Sequence, residues 1–578
     1  MAEKIKWVVK DYNEKEDILQ LSKTLNVDIV IAKMLIGRGI KTFDDSKFFF
    51  RPNIYQLHDP FLMKDMYVAV ERILLAINQK EKIMVYGDYD VDGISSVALM
   101  TSFLKEIGAH VSTYIPDRSE GYGLSVTAID QAHGKNQTLI ITLDCGINAI
   151  QQSKFASKKG VDLIICDHHL PGNVLPKACA ILNPKRKDCN YPFKELCGCG
   201  VGFKLIQAIN EKNGKGIENI LHFLDLVAIA CAADIVSLNG ENRTLTFLGL
   251  KQLNTKPRLG IKLLINQKSK IKINDLLFFI APRINAAGRL AKPSIGLRLL
   301  TETKKDELIE IINIIERLNS KRKEVEKSMT NQALEKIKNS KNNNLYSNVV
   351  FEDNWHKGVI GIVAARLIDR FYKPTIVFCE SKKGELTGSG RSIKNVDIHK
   401  ILSRCQEYIL SYGGHKYAAG LKIAKENLTN FTNKFDEESG KFIDNHLPTR
   451  QIFIESEINL RSITPKFFRI LNQFQPFGPA NKTPNFLSRN LKVFGEIHKV
   501  GKNKEHLKIN IFQDSENIFS AIGFNLSSKL DVIETSNFDM VYSIEENIWN
   551  GKSSLQLNIK AVSYTHLRAH ETVLDLVC

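Results

Sequence analysis

Three near-continuous apolar runs, each closed by an aspartate, constrain this chain more than any other feature. KIMVYG (82–87) leads into Asp88, TLIITL (138–143) into Asp144, and VDLIIC (161–166) into Asp167. Helical patterns separate them, among them SSVALMTSFLKEIG (95–108), whose apolar periodicity ends in glycine. Apolar strands alternating with helices predict a parallel sheet covered on both faces, and such sheets bind ligands at the carboxyl ends of their strands. Three strands therefore deliver a carboxylate to one edge. The fold class expected is α/β.

The aspartates have company. GDYDVDG (87–93) holds Asp88, Asp90 and Asp92 on alternate positions, which in an extended chain points Asp88 and Asp90 to one side. Asp167 is followed by His168 and His169, and Asp234 closes the apolar run LVAIACAA (226–233). One such Asp alone reads as a helix cap or a turn. Together they repel unless cations neutralise them, and oxygen with imidazole donors favours Mg2+ or Mn2+. The ligands suffice for two ions about 3.5–4 Å apart, the arrangement of in-line phosphoester hydrolysis. Cys189, Cys197 and Cys199 are the one cysteine cluster; the one-residue gap in CGCGVGFKL is too short for a zinc site, so they read as small apolar fillers.

Elsewhere, 301–340 lacks Gly and Pro and carries Leu308, Ile311, Ile312, Ile315, Leu318, Val325 and Met329 on one stripe. It reads as a long connecting helix; a coiled-coil dimer is the competing reading. A second α/β unit follows around PTIVFCE and IGIVAARLIDRF. From 451 the short β-type runs IFIESEI, LKVFGEI, HLKINIF, FSAIGFN and LQLNIKAV suggest a small barrel of the OB kind. SYTHLRAHETVLDLVC at the end continues no earlier pattern and resembles a translated sequencing adapter. No apolar run approaches the roughly 20 residues of a membrane helix, and the first residues turn charged before a signal core forms. The 80 basic and 63 acidic residues leave +17, which favours a polyanionic partner. A lysine-rich proteome would give the same excess.

GDYDVDG, LDCG, DHH and AADIV, in that order, resemble the successive motifs of the DHH phosphoesterase superfamily. PRINAAGRL (282–290), WHKGVIGIVAARL (355–367), GSGRS (388–392) and GGHKYAAG (413–420) narrow the resemblance to the RecJ family, bacterial exonucleases that degrade single-stranded DNA 5′ to 3′. FQPFGPANKTPNF (474–486) resembles the start of that family's OB domain. With the patterns above, the resemblance implies a helical segment at 1–60, a DHH catalytic domain at 61–300, the connecting helix at 301–340, a DHH-associated domain at 341–445 and an OB-like barrel at 446–561; the adapter-like string leaves 562–578 as a non-native tail.

It casts Asp88, Asp90, Asp144, His168 and Asp234 as ligands of two Mn2+ or Mg2+ ions, with Asp144 as the bridge. His169 becomes a further ligand or a contact to the scissile phosphate, Asp167 the partner of a histidine, and Asp92 a support of its loop. Arg118, Ser389, Arg391, His415 and one of Arg283 and Arg289 would bind the 5′-phosphate and DNA. Phe477 would stack on bases, and a groove between the α/β domains would exclude duplex. The family further implies a cytoplasmic monomer off the membrane, with single-stranded DNA, single-stranded-DNA-binding protein and a RecQ-type helicase as partners. Two rivals remain. A phosphodiesterase for short oligoribonucleotides or cyclic dinucleotides predicts a two-domain chain, and a non-catalytic scaffold of this fold predicts lost ligands.

Overall fold

The three Asp-terminated runs are neighbours in one sheet. β1 (Lys82–Gly87), β2 (His110–Tyr114), β3 (Gln137–Leu143), β4 (Asp162–Cys166) and β5 (Ala180–Leu182) lie in the order β2-β1-β3-β4-β5, and every neighbouring pair is parallel. After β1 the chain crosses to one side for β2 and to the other for β3. The sheet therefore splits its connections between β1 and β3, where such folds open a crevice beyond the strand ends. Asp88 and Asp144 sit at that point. β1 and β3 are buried almost throughout because helices cover both faces. The computed structural model describes residues 5–564 apart from 119, 267–269, 340–344, 444–448, 515–516, 535–536 and 550–551.

The chain divides into two compact units, one of residues 57–236 and 240–450, the other of 5–56, 237–239 and 451–564. In the first, α1 (Val91–Glu106) follows β1 directly. α2 (Gly198–Lys212), α3 (Leu224–Ala233) and α4 (Gly240–Thr255) come after the sheet. A π-helical turn at Leu276–Ile280 then runs into α5 (Ala281–Leu290), the PRINAAGRL segment. The long helix is present as α6 (Lys305–Asn339), 35 residues. Its stripe differs from the expected one: Leu308, Ile311, Ile315 and Met329 are buried, but Asn319, Arg322 and Glu326 are buried between them. The middle of the helix is thus a polar seam.

A mixed sheet follows, of β6 (Asn348–Phe351), β7 (Thr375–Lys382), β8 (Glu385–Arg391), β9 (Ser411–His415) and β10 (Ala418–Ala424), in the order β9-β10-β8-β7-β6. α7 (Ile360–Phe371) packs Val363, Ala364 and Leu367 with Met329 and Ala333 of α6 and Val377 of β7. β8 alternates buried and half-buried residues, which puts Ser389 and Arg391 on the same face.

In the second unit, β11 (Phe486–Val500), β12 (His506–Phe512), β13 (Ile518–Gly523), β14 (Phe538–Trp549) and β15 (Lys552–Tyr564) form a barrel, closed because β11 pairs with both β12 and β14. The N-terminal segment is not wholly helical, since Ile5–Val9 is a strand. Its helices share the barrel's core, Ile31 and Leu35 clustering with Phe474, Phe486 and Leu507. Phe477 is partly buried against this core. The last strand continues to Tyr564, past the expected barrel end at 561; the rest of the supposed tail, 565–578, lies outside the described residues.

α3 and α4 meet at a glycine. A Cβ on Gly249 would lie 2.1 Å from the Leu224 carbonyl oxygen and 2.6 Å from Ala228 Cβ. Helix propensity alone makes Ala better than Gly by about 1 kcal/mol. The clash with backbone reverses that sign, since overpacking costs about 1–3 kcal/mol. Gly249→Ala should therefore lower the melting temperature of the intact protein, measured calorimetrically; an unchanged or higher value would mean the helices part freely.

Candidate active site

The turn after β1 builds the first half of the site. The chain does not stay extended through GDYDVDG: helix α1 begins at Val91 with Asp90 as its cap, one carboxylate oxygen accepting from the Asp92 and Gly93 amides at 3.0 and 3.1 Å. Asp90 itself is still extended, and its carboxylate and that of Asp88 come within reach of Asp144. Asp144 follows β3 in the left-handed region, φ 61°, a conformation that costs most residues energy and is tolerated best by Asn and Asp. Its amide donates to the Cys166 carbonyl at 2.9 Å, so the end of β4 fixes the bend.

Asp167 holds the two histidines. Its carboxylate accepts from the amides of Ile147, His168 and His169 and pairs with His169 Nδ1 at 2.7 Å. Burial opposes ionisation, yet the His169 hydrogen bond and charge keep Asp167 below the usual carboxylate range. His168 is buried, and burial with the neighbouring His169 brings its pKa down to about 3, so the ring is neutral and can ligate. Its Nε2 lies 3.1 Å from Asp144 Oδ1, 3.7 Å from Asp234 Oδ2 and 3.9 Å from Asp92 Oδ2. Asp234 sits at the end of α3, so the apolar run before it is a helix.

Three overlapping trios have donor atoms within 4.8 Å of one another: Asp88, Asp90 and Asp144; Asp144, His168 and His169; Asp92, His168 and Asp234. Burial first, then the other carboxylates, pushes the pKa of Asp88, Asp144 and Asp234 well above the ordinary range. Asp88 Oδ1, Asp144 Oδ1 and His168 Nε2 are buried without a hydrogen-bond partner. Hard oxygen donors and a neutral imidazole, left unsatisfied on either side of Asp144, fit divalent cations such as Mn2+ or Mg2+. No cysteine belongs to these groups among the described residues.

Asp92 has a second duty. Its oxygens accept from the amides of Gly198 and Cys199, both at 2.7 Å, so the start of α2 holds the carboxylate. Burial and Asp90 nevertheless push its pKa up to about 7. A Cβ at Gly198 would stand 2.6 Å from Asp144 Oδ1, so only glycine lets the helix end approach. Cys197 is more than filler: it caps α2, accepting from the Gly200 amide, and its sulfur lies 3.5 Å from that of Cys231.

The second half is basic. Arg118 donates to the Gly288 carbonyl and covers the Tyr89 ring at 4.1 Å. Arg289 donates to the Gly358 carbonyl, and Arg391 to Ser389 Oγ and the Gly390 carbonyl. Burial, then the charges of Arg118, Arg391 and Arg322, lower the pKa of Arg289, though a guanidinium keeps its proton at neutral pH. Asp90 acts on Arg289, and Arg118 on Asp88, so the basic group borders the acidic one. His415, at the end of β9, stacks on His169 with centroids 5.5 Å apart. Arg283 is not brought here; it pairs with Glu316 of α6 at 2.7 Å and covers Phe279.

Family models match along the chain: the DHH family N-terminal domain at residues 82–231, the DHHA1 domain at 341–441 and the RecJ OB domain at 454–561. The single-stranded-DNA-specific exonuclease RecJ of Bacillus subtilis strain 168 is 35% identical over 571 residues, 97% of this chain and 71% of its own. The Escherichia coli K12 protein of that name is 33% identical over 516 residues, 85% of this chain and 89% of its own. The chain belongs to the RecJ family. The crystal structure of RecJ in complex with Mn2+ from Thermus thermophilus superposes with TM-score 0.84 at 25% identity, covering 97% of this chain and 80% of that one. The α/β folds and barrel described above are thus those of RecJ.

Three neighbours of the site escaped the sequence reading. Tyr122 hydroxyl lies 3.1 Å from His169 Nδ1 and within reach of the Asp144 carbonyl. Asn183, fully buried, donates to the His169 carbonyl and accepts from the Lys185 amide. The Lys185 charge bears on His168 and Asp234. Asn183 ends β5, so the rule that found the aspartates, a polar residue closing an apolar strand, would have found it.

Asp144→Asn keeps the left-handed bend while removing one of several mutually repelling charges. In metal-free buffer the variant should melt no lower than the parent, and Mn2+ should raise its melting temperature far less than it raises the parent's. Equal Mn2+ shifts in a thermal melt would exclude Asp144 from the ligand set.

Proposed function

We propose that the protein is a metal-dependent exonuclease that hydrolyses single-stranded DNA from the 5′ end, in recombination and repair. The observation that carries this is the juxtaposition of an acidic, histidine-bearing cluster with unsatisfied donors and three arginines that form no ion pair among the described residues. One half suits cations and the other suits phosphate. Membership of a family whose relatives are named single-stranded-DNA-specific exonucleases supports the exonuclease part of this reading.

The roles follow the geometry. Asp88, Asp90, Asp144, His168 and Asp234 would hold Mn2+ or Mg2+, two ions on this reading, with Asp144, which joins the Asp88–Asp90 trio to the histidines, the residue that would be shared between them. When bound, these ions supply charge neutralisation of the phosphate and activation of water. Asp167 fixes the His169 tautomer by taking its Nδ1 proton in a hydrogen bond, leaving Nε2 toward the reacting phosphate. Asp92 ties α1 to α2, so the carboxylates keep their spacing when the ions leave. Ser389 and Arg391, with Arg118 and Arg289, grip the terminal 5′-phosphate, and His415 contacts the nucleotide next to His169. The barrel holds the strand by phosphate contacts and base stacking, Phe477 included, without choice of sequence.

The domain limits given from the sequence belong to this proposal, and the family matches fall within them. So do monomeric state, cytoplasmic location and partnership with single-stranded-DNA-binding protein and a RecQ-type helicase. Among the described residues no helix is long and apolar enough to cross a membrane.

Digestion of 5′-labelled and 3′-labelled single strands, with Mn2+ or Mg2+ and beside duplex and RNA, tests the reading. The 5′ label should appear at once as mononucleotide; release of the 3′ label first, or equal attack on duplex, would sink it. Arg391→Ala should lose most of the preference for a 5′-phosphate over a 5′-hydroxyl, a loss of roughly 10- to 150-fold, and Arg391→Lys should recover only part. An unchanged preference ratio would place the 5′ pocket elsewhere. With +17 charges on the chain, strand affinity should fall steeply with salt for any sequence. A flat response in a binding titration would make the charge excess irrelevant to DNA.

A further inference from the structure

The polar seam of α6 opens on a cavity of about 450 Å³ that the proposed reaction does not use. Arg322, buried in the seam, donates to Glu326 at 2.5 Å and to Asn319 at 2.8 Å, while its Nε is buried without a partner. Thr330, further along the same wall, has a buried hydroxyl without a partner. Glu326 also accepts from Arg366 of α7 at 2.8 Å, so a single carboxylate serves two guanidinium groups. Lys323 and Lys327 line the same space, are exposed, and form no ion pair among the described residues. Four cations against one anion leave the wall strongly positive.

Phe278, 71% exposed, lines the same cavity from the π-helical turn that precedes α5. Such turns are rare and recur at functional sites. A cation-lined wall recognises phosphate, and an exposed ring offers a face on which any base stacks. The volume lies in the range of small-ligand sites and has room for one nucleotide rather than a stretch of strand.

We propose that this cavity binds a nucleoside 5′-monophosphate, its phosphate on Arg322, Lys327 and Arg366 and its base on Phe278. Only the choice of a nucleotide over another aryl phosphate rests on the exonuclease reading. Free mononucleotide and the terminal nucleotide of a strand carry the same chemistry, and the experiment must separate them.

Equilibrium dialysis of dAMP against the metal-free full chain provides the test. The parent should bind two equivalents. Arg391→Ala should keep the cavity equivalent and lose the other; the double variant Lys323→Ala/Lys327→Ala should do the reverse, with the cavity affinity down at least about tenfold. Phe278→Ala should weaken dAMP but not inorganic phosphate at this site. A 5′-phosphorylated oligonucleotide should bind the lysine variant as it binds the parent. The proposal is overturned if no bound equivalent survives Arg391→Ala, or if dAMP binding is indifferent to the lysines. A lysine variant that loses the strand but keeps dAMP would overturn it too, placing the cavity on the strand's path. If digestion of DNA fails while dAMP still fills the cavity, the exonuclease reading falls and the site stands.

Discussion

Like charges held together out of water are what the rest of this molecule is arranged to tolerate. Asp88, Asp92, Asp144 and Asp167 are all buried, and nothing about their chemistry favours proximity. Backbone geometry imposes it. Parallel strands set Asp88, Asp144 and Asp167 at one edge, the left-handed bend at Asp144 turns its carboxylate inward, and the amides opening α2 draw Asp92 in. Only Asp167 finds enough donors to be comfortable as an anion. Asp88 and Asp144 each keep an oxygen without a donor, acceptors in want of a cation.

The basic group poses the same problem with the sign reversed. Arg118 comes from the loop after β2, Arg289 from α5 and Arg391 from β8, and each spends its hydrogen bonds on backbone carbonyls or a hydroxyl rather than on a carboxylate. α6 and α7 make this possible, since their packing through Met329, Ala333 and Val363 joins the two sheets into one unit. Two half-sites of opposite sign, neither satisfied alone, meet where His415 stacks on His169. A phosphodiester accompanied by cations, the ligand proposed above, would satisfy both.

Much of this is legible in the sequence alone. The apolar strands ending in Asp point to both the parallel sheet and its reactive edge, because strand direction and side-chain chemistry are written in the same few residues. What could not be read was tertiary. Asp90 caps a helix because the chain turns at Val91, which alternation along an extended strand cannot foresee. Arg283 and Arg289 lie on one short helix, and only their neighbours, Glu316 and the Gly358 carbonyl, tell them apart. The seam of Asn319, Arg322 and Glu326 hid behind an apolar stripe that looked continuous. Cys197 passed for filler because its sulfur acts through a backbone amide that carries no sequence signature.

Gly198 brings neither charge nor donor side chain to the site, yet no heavier residue fits where the end of α2 meets Asp144. In a collection of natural variants, positions of this kind are where a substitution that looks chemically mild would be purged. A carboxylate can be exchanged for an amide with its shape preserved, but an added methyl here displaces a helix end and, with it, the amides that hold Asp92. Intolerance to mutation at this locus would measure space, not reactivity.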